Sequence, residues 1–375
     1  MFAAKPKKSP SLLGLVGLLA ANFVLQALVR DPRRDGPPAD AFGVPSSRSE
    51  PLTRHYSRAA ESGRGREAIK PWQIPWRGWK DILWRTFEEV QQDRLLAIAA
   101  GVVFYALLAI FPAITALVSL YGLFTTPATI NQHLTFLSDV MPEGGVGIVH
   151  EQIDRVAAKG DYRLGFGFIF GLAIAIWSAN AGIKAVIDAL NVVYEEEEKR
   201  SFIKLNLISL GFTAAALAAI LIGIAMIMVV PLLLDRVGLG TVTTVALDYG
   251  RWPALVIAVL LSLAVLYRFG PSRAQPQWHW LSVGSIVATV LWIGGSALLS
   301  YYLRRYANYD ATYGSLGAAI GLMMWLWLSS IVVLLGAEIN AEVEHQTAVD
   351  TTVGAPQPIG RRNATMADTV GAAKG

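Results

Sequence analysis

Residues 165–194 read GFGFIFGLAIAIWSANAGIKAVIDALNVVY, thirty residues holding one base, Lys184, and one acid, Asp188. A helix rises about 1.5 Å per residue, so about 20 apolar residues cross a hydrocarbon core of about 30 Å. This run meets that length and reads as a membrane helix. Within it Asn180, Lys184, Asp188 and Asn191 recur at spacings of 4, 4 and 3, which stacks them on one helical face. Charged groups at membrane depth are costly and usually point inward, which makes this face the candidate polar path. A count of 20 residues from Leu164 ends near Ile183, so two readings stay open. Either Lys184 and Asp188 line the inner mouth of a cavity, or they are a solvated helix end with Lys184 snorkelling.

The rest of the chain repeats the pattern. Charged residues are 16% and apolar residues 54% of the 375, against about 25% charged in soluble proteins. Seven apolar runs are of spanning length, near 11–29, 95–124, 164–192, 204–234, 253–269, 281–303 and 315–337. No series of alternating ten-residue segments suggests an outer-membrane barrel, so an all-α, polytopic bundle is expected. The run at 11–29 stands apart, as an N-terminal membrane anchor or a signal-like segment. A Pro-, Arg-, Gly- and Ser-rich linker over 31–71 has little to bury and is expected to be disordered and basic. The core domain is placed at 72–345, with a disordered tail over 346–375. Cysteine is absent, which excludes disulfides, thiolate catalysis and Cys-ligated metal centres.

Loop charge sets the expected orientation. With the linker and both ends of the six-span core inside, the inner side carries twenty-one Lys and Arg and the outer side seven. Before the first core span, PWRGWKDILWRTFEEV places Trp76, Trp79, Leu83, Phe87 and Val90 on an apolar stripe. It reads as a helix lying in the membrane interface, anchored by Trp76, Trp79 and Trp84.

Four separated stretches carry a family resemblance: AAGVVFYALLAIFPAITAL (99–117), IWSANAGIKAVIDALNVVYEEEEKR (176–200), LYRFGPSRAQPQWHW (266–280) and YGSLGAAIGLMMWLWLSSIVVLLGAEINAEVE (313–344). Together they resemble the YihY/BrkB family over about residues 75–345. The resemblance implies a bacterial cytoplasmic-membrane protein with six core helices. It also brings the family's labels of virulence factor, tRNA-processing ribonuclease and exporter of envelope lipids. Glu338, directly after LLGA, resembles the family's GAE motif and is a candidate to meet Lys184 or Arg94; alternatively it marks a solvated helix end.

The ribonuclease label finds little chemistry here. RNA hydrolysis needs clustered carboxylates with metal ions, or a His and Lys acid–base set. The five histidines, His55, His133, His150, His279 and His345, lie in unrelated segments. His150-Glu151-Gln152-Ile153-Asp154 matches HExxH only in its first half. No phosphate-binding G-x-x-x-x-G-K-[ST] occurs, so no cofactor, metal or nucleic-acid partner is expected. Gly294, Gly295, Gly314, Gly317 and Gly321 read as small-residue helix contacts. Two functions remain: transport or export of a lipid or small amphiphile, or a scaffold supporting envelope integrity. The expected partners are membrane lipid, including anionic lipid, and a second copy or another envelope protein.

Overall fold

A computed structural model describes residues 50–121, 166–236, 240–305 and 315–374. The run at 11–29, the 125–163 segment with its His150–Asp154 motif, Gly165 and Gly314 lie outside the described residues. Two short elements come first, α1 (Leu52–Ala59) and α2 (Trp76–Gln92). Six long helices follow: α3 (Leu95–Tyr121), α4 (Phe166–Val193), α5 (Phe202–Arg236), α6 (Gly240–Phe269), α7 (Ser282–Arg305) and α8 (Ser315–His345). Each contains a stretch of 18 to 27 residues long and apolar enough to cross a membrane, the shortest being Trp252–Phe269. At most 28% of any such stretch is buried, so most of the apolar surface is left for lipid to solvate. Among the described residues, strand-like pairing is limited to one isolated bridge between Pro276 and Thr352. The all-α polytopic fold read from the sequence is the fold observed.

Small residues set the helix contacts, and the tightest of them are Gly284 and Gly336, which were not among those singled out above. A Cβ on Gly284 of α7 would stand 1.9 Å from the Gly336 carbonyl oxygen of α8, and one on Gly336 would stand 2.7 Å from Ala288 Cβ. The two backbones therefore cross in direct contact. Tyr267 of α6 seals the crossing by donating its hydroxyl to Val333 O at 2.8 Å. By contrast, a Cβ on Gly294 meets nothing within 4 Å, and one on Gly321 makes only an ordinary contact with Leu303 at 3.7 Å. Gly295 does pack closely, 3.2 Å from Leu328. Trp292 and Trp325 reach across the same pair of helices to Ser329 and Ser296 at 3.0 and 3.1 Å.

One end of the bundle is capped, and two expectations of disorder fail there. The folded unit begins at Pro51 rather than at residue 72. Within the supposed linker, Arg66 is 2% exposed and donates to Gln346 O and Gly371 O. The supposed tail packs back on the cap: Gln346, Thr351 and Val370 are fully buried. Its backbone is satisfied by Ala274 N to Asn363 O at 3.0 Å, Gln277 N to Thr351 O at 2.9 Å and Val370 N to His55 Nδ1 at 3.1 Å. Composition predicted disorder because these segments lack a periodic apolar stripe. They order instead because buried arginines supply donors to their carbonyls and a few apolar side chains, Ile359, Met366 and Val370, plug into the bundle end.

Candidate functional site

The polar face of α4 divides between two surroundings. Asn180, 1% exposed, and Lys184, half-buried, face α5. Lys184 Nζ donates to Asn206 Oδ1 at 2.6 Å and lies over the rings of Trp177 and Phe202, 5.4 and 5.8 Å from their centroids. Thr213 Oγ1 donates to Asn180 Oδ1 at a long 3.4 Å, whereas Asn180 Nδ2 has no partner. Asp188 is exposed. Asn191 serves the cap: its Oδ1 accepts from Ser272 N at 2.8 Å and its Nδ2 donates to Glu198 at 3.1 Å.

Across the contact, α5 has an inverted pattern. Between Phe202 and Gly223 its buried positions are Asn206, Ser209, Thr213 and Leu217, at spacings of 3, 4 and 4. Three of these four are polar, while the exposed positions beyond Lys204 are apolar or small. Ser209 and Thr213 also bond back to backbone carbonyls one turn earlier, at 2.9 Å each. Thr213 lies 11 residues into a 22-residue spanning stretch, about 16 Å deep at helical rise. The seam is thus polar from the capped end to the middle of the bundle. The sequence carried this signal, because the 3 and 4 spacing of Asn206, Ser209 and Thr213 is the one used for α4. Uncharged side chains are simply less conspicuous than Lys184 and Asp188.

Glu338 sits elsewhere, where α8 meets the cap. It is 1% exposed, and neither carboxylate oxygen has a hydrogen-bond partner, so it bonds to neither Lys184 nor Arg94. Its electrostatic neighbours are other carboxylates: Asp93, Glu342, Glu89 and Glu195. Glu342 and Glu344, on the same end of α8, are paired with arginines. Arg85 binds Glu342 Oε2 through Nε at 2.5 Å, Gln346 Oε1 through Nη2 at 2.8 Å and Ala372 O through Nη1 at 3.0 Å. Arg273 donates from Nη2 to both oxygens of Glu344, at 2.5 and 2.7 Å, and Thr351 donates to the same carboxylate. Asp81 shows what pairing does: burial pushes its carboxyl up, but the hydrogen bonds from Arg64 and Lys374 N outweigh burial and hold it below the usual carboxylate range. Glu89 and Asp93 behave oppositely. Burial, then the charges of Glu342, Asp93 and Glu195, pushes Glu89 up to about 8; burial, then Glu195, pushes Asp93 up to about 7. Glu89 and Asp93 are four residues apart, as are Glu338 and Glu342, but the two pairs and Glu195 lie far apart in the chain, so local spacing could not relate one pair to the other.

Helix α2 turns its charged side inward. Gly78, Asp81, Ile82, Arg85 and Thr86 are buried against the bundle end, while Trp76, Leu83, Trp84 and Phe87 are more than half exposed. Trp79 is half-buried against Ile82, Trp280 and Val343. An apolar outer face over a charged inner one suits lipid outside rather than water. Arg268, at the same end of α6, was not singled out from the sequence. It is 9% exposed, stacks 4.3 Å from the Trp278 centroid and leaves Nε and Nη1 without partners.

Among the described residues no three His, Cys, Asp or Glu side chains converge to hold a metal ion. His55 accepts from Val370 N, and His279 Nε2 lies 3.0 Å from Ile69 O, so both serve the cap.

The family model described as Virulence factor BrkB matches residues 86–359. A Bacillus subtilis (strain 168) protein named "Putative ribonuclease-like protein YfkH" is 32% identical over 247 residues, 65% of this chain and 88% of the relative. The UPF0761 membrane protein VP0125 of Vibrio parahaemolyticus is 26% identical over 266 residues, covering 69% of this chain and 81% of the relative. A UPF0761 membrane protein of Delftia acidovorans is 25% identical over 270 residues, 72% of this chain and 62% of the relative. No solved structure matches. The family model spans all six membrane helices, and the chain belongs to the BrkB family of membrane proteins.

Proposed function

We propose that this protein carries a lipid or small amphiphile across the bacterial cytoplasmic membrane. The polar headgroup passes along the α4–α5 seam while the apolar tails remain in the bilayer. One observation carries the reading: the face that α5 buries is polar, and at mid-depth it is poorly satisfied. Helix packing alone would be served by small or apolar residues, since an interhelical hydrogen bond in a membrane contributes only about 0.6 kcal/mol on average. The orphaned Asn180 amide costs roughly 1–3 kcal/mol if nothing ever occupies the seam. A headgroup that supplies acceptors to Asn180 Nδ2 and to Lys184 accounts for both.

The capped end faces the cytoplasm in this account, on the inside excess of Lys and Arg. Trp76 and Trp84 then lie at the inner interface with Arg77 and Lys80 exposed beside them, where anionic headgroups gather. Arg268, with free donors beside Trp278, is placed to receive the same headgroups. No acid–base or metal chemistry enters this reading, so the protein acts as a carrier rather than an enzyme.

The test is lipid translocation by the full chain in liposomes, read by quenching of headgroup-labelled lipid from outside. Asn180→Leu and Thr213→Val should each lower translocation at least tenfold while the purified variants keep the wild-type elution profile. Lys184→Ala should lower it more for anionic than for zwitterionic lipid. Wild-type protein that moves neither lipid class faster than empty vesicles would sink the proposal, as would variants that are folded and fully active.

A further inference from the structure

We propose that Arg268 and Trp278 form a binding site for the phosphate of an anionic phospholipid, at the boundary where α6 and α7 leave the membrane. The site rests on the headgroup contact named above, but it needs neither the α4–α5 seam nor transport, because binding alone defines it.

The side chain at its centre is buried, charged and uncommitted. Arg268 is 9% exposed, its Nε and Nη1 have no hydrogen-bond partner, and no ion pair among the described residues engages it. A guanidinium stays protonated in proteins, so burial cannot be relieved by losing the charge. Stacking compensates in part: the guanidinium carbon lies 4.3 Å from the Trp278 ring centroid and 5.5 Å from that of Phe269. Rings cover the face of the group and leave its in-plane N–H donors free for an acceptor. The usual role of a basic residue in the last turn of a helix, serving the final carbonyls, is already filled. Arg200, from the α4–α5 connection, donates to Phe269 O at 3.4 Å and Gly270 O at 2.9 Å, and is itself held by Glu198 at 2.6 Å. Arg273 is likewise taken by Glu344, and Lys199 by Glu196.

Depth and the surface below identify the anion. Arg268 lies next to the end of the spanning stretch Trp252–Phe269, and Trp278 opens the stretch Trp278–Leu303. Both stand at the edge of the hydrocarbon layer, where headgroups begin and tryptophan is enriched. Leu261 and Val265, seven and three residues before Arg268, share its face of α6 and are 60% and 38% exposed. An acyl chain lying along them brings its phosphate to the guanidinium, while the exposed Trp278 flanks the headgroup. Arginine suits phosphate because it offers two parallel N–H donors. With no described carboxylate paired to Arg268, the site keeps its positive charge and favours a headgroup of net negative charge over one that carries its own ammonium.

Native mass spectrometry of the full chain in detergent, titrated with phosphatidylglycerol, phosphatidylethanolamine or inorganic phosphate, reads the site directly. Wild-type protein should bind phosphatidylglycerol about tenfold more tightly than phosphatidylethanolamine, and millimolar inorganic phosphate should not displace it. Arg268→Ala should abolish that preference. Arg268→Lys, which keeps the charge but loses the paired donors, should weaken it, as should Trp278→Leu. Arg361→Ala, at an exposed position on the cap, should leave it unchanged. Should Arg268→Ala fail to fold, Arg268→Lys carries the test. The proposal is overturned by wild-type protein without the preference, by folded Arg268 variants that retain it in full, or by an equal loss in Arg361→Ala. Displacement by inorganic phosphate also overturns it, since the ligand would then be a soluble anion. Vesicles in which no lipid moves would sink the transport reading and leave a positive binding result standing.

Discussion

Replacing Arg85 by alanine should release the C-terminal segment from the bundle. Arg85 is 4% exposed and its guanidinium holds three groups at once: Glu342 Oε2 at 2.5 Å, Gln346 Oε1 at 2.8 Å and Ala372 O at 3.0 Å. Gly371 lies against it so closely that a Cβ there would stand 2.5 Å from the guanidinium carbon. Removing one partner of a buried ion pair leaves the other charge uncompensated and costs about 3–5 kcal/mol. In opening equilibrium that is roughly a hundred- to several-thousand-fold. Amide hydrogen exchange reads it at Gly371, whose N–H bonds to His345 O at 2.9 Å, and at Val370, bonded to His55 Nδ1 at 3.1 Å. The double variant Arg85→Met/Glu342→Leu removes both charges and should bring exchange back to within about tenfold of wild type, because apolar replacement of a whole buried pair is often neutral. Wild-type protection in Arg85→Ala would refute the reasoning, as would a double variant that opens as widely as the single one.

The glycine crossing makes a paired prediction. Gly284→Ala puts a Cβ 1.9 Å from a backbone oxygen, so α7 and α8 must separate and the thermal midpoint in detergent should fall sharply; Gly294→Ala, with nothing within 4 Å, should melt like wild type. Similar melting of the two variants would contradict the crossing. For pH, Glu89 and Asp93 hold protons more tightly in the folded cap than in the unfolded chain, so the stability they leave intact below the ordinary carboxylate range is lost as pH rises through about 8. Asp81 works the other way, stabilising above its unfolded value and losing that contribution as pH falls through its lowered one. Cap protection measured against pH should therefore peak on the mildly acidic side, with Glu89→Gln flattening the alkaline fall; protection that climbs from neutral to alkaline pH would refute this.

The six membrane helices were legible because each announces itself locally, by length and apolarity. Asn180 and Lys184 were legible for the same reason, as polar residues at helical spacing in an apolar run. What faces them was harder to read: Asn206, Ser209 and Thr213 are small, and only the contact between α4 and α5 makes their pattern meaningful. The cap was misread because its order comes from long-range pairing, Arg66 with Gly371 and Arg85 with Glu342. Such contacts join residues more than 250 positions apart, and composition says nothing about them. Trp76 and Trp84 were assigned to the interface from the tryptophan pattern, while the inward turn of Asp81 and Arg85 appears only once the bundle end is in place.

The central claim is that the α4–α5 seam is a water-accessible path through an otherwise apolar bundle. The chain has no cysteine, so single cysteines can be introduced at Asn180, Ser209 and Thr213 on the seam, and at Gly211 and Ala215 on the outward face of α5. In liposomes, a water-soluble thiol reagent should label the three seam positions and spare the two outward ones. Seam cysteines as unreactive as the outward pair, in folded protein, would contradict the account.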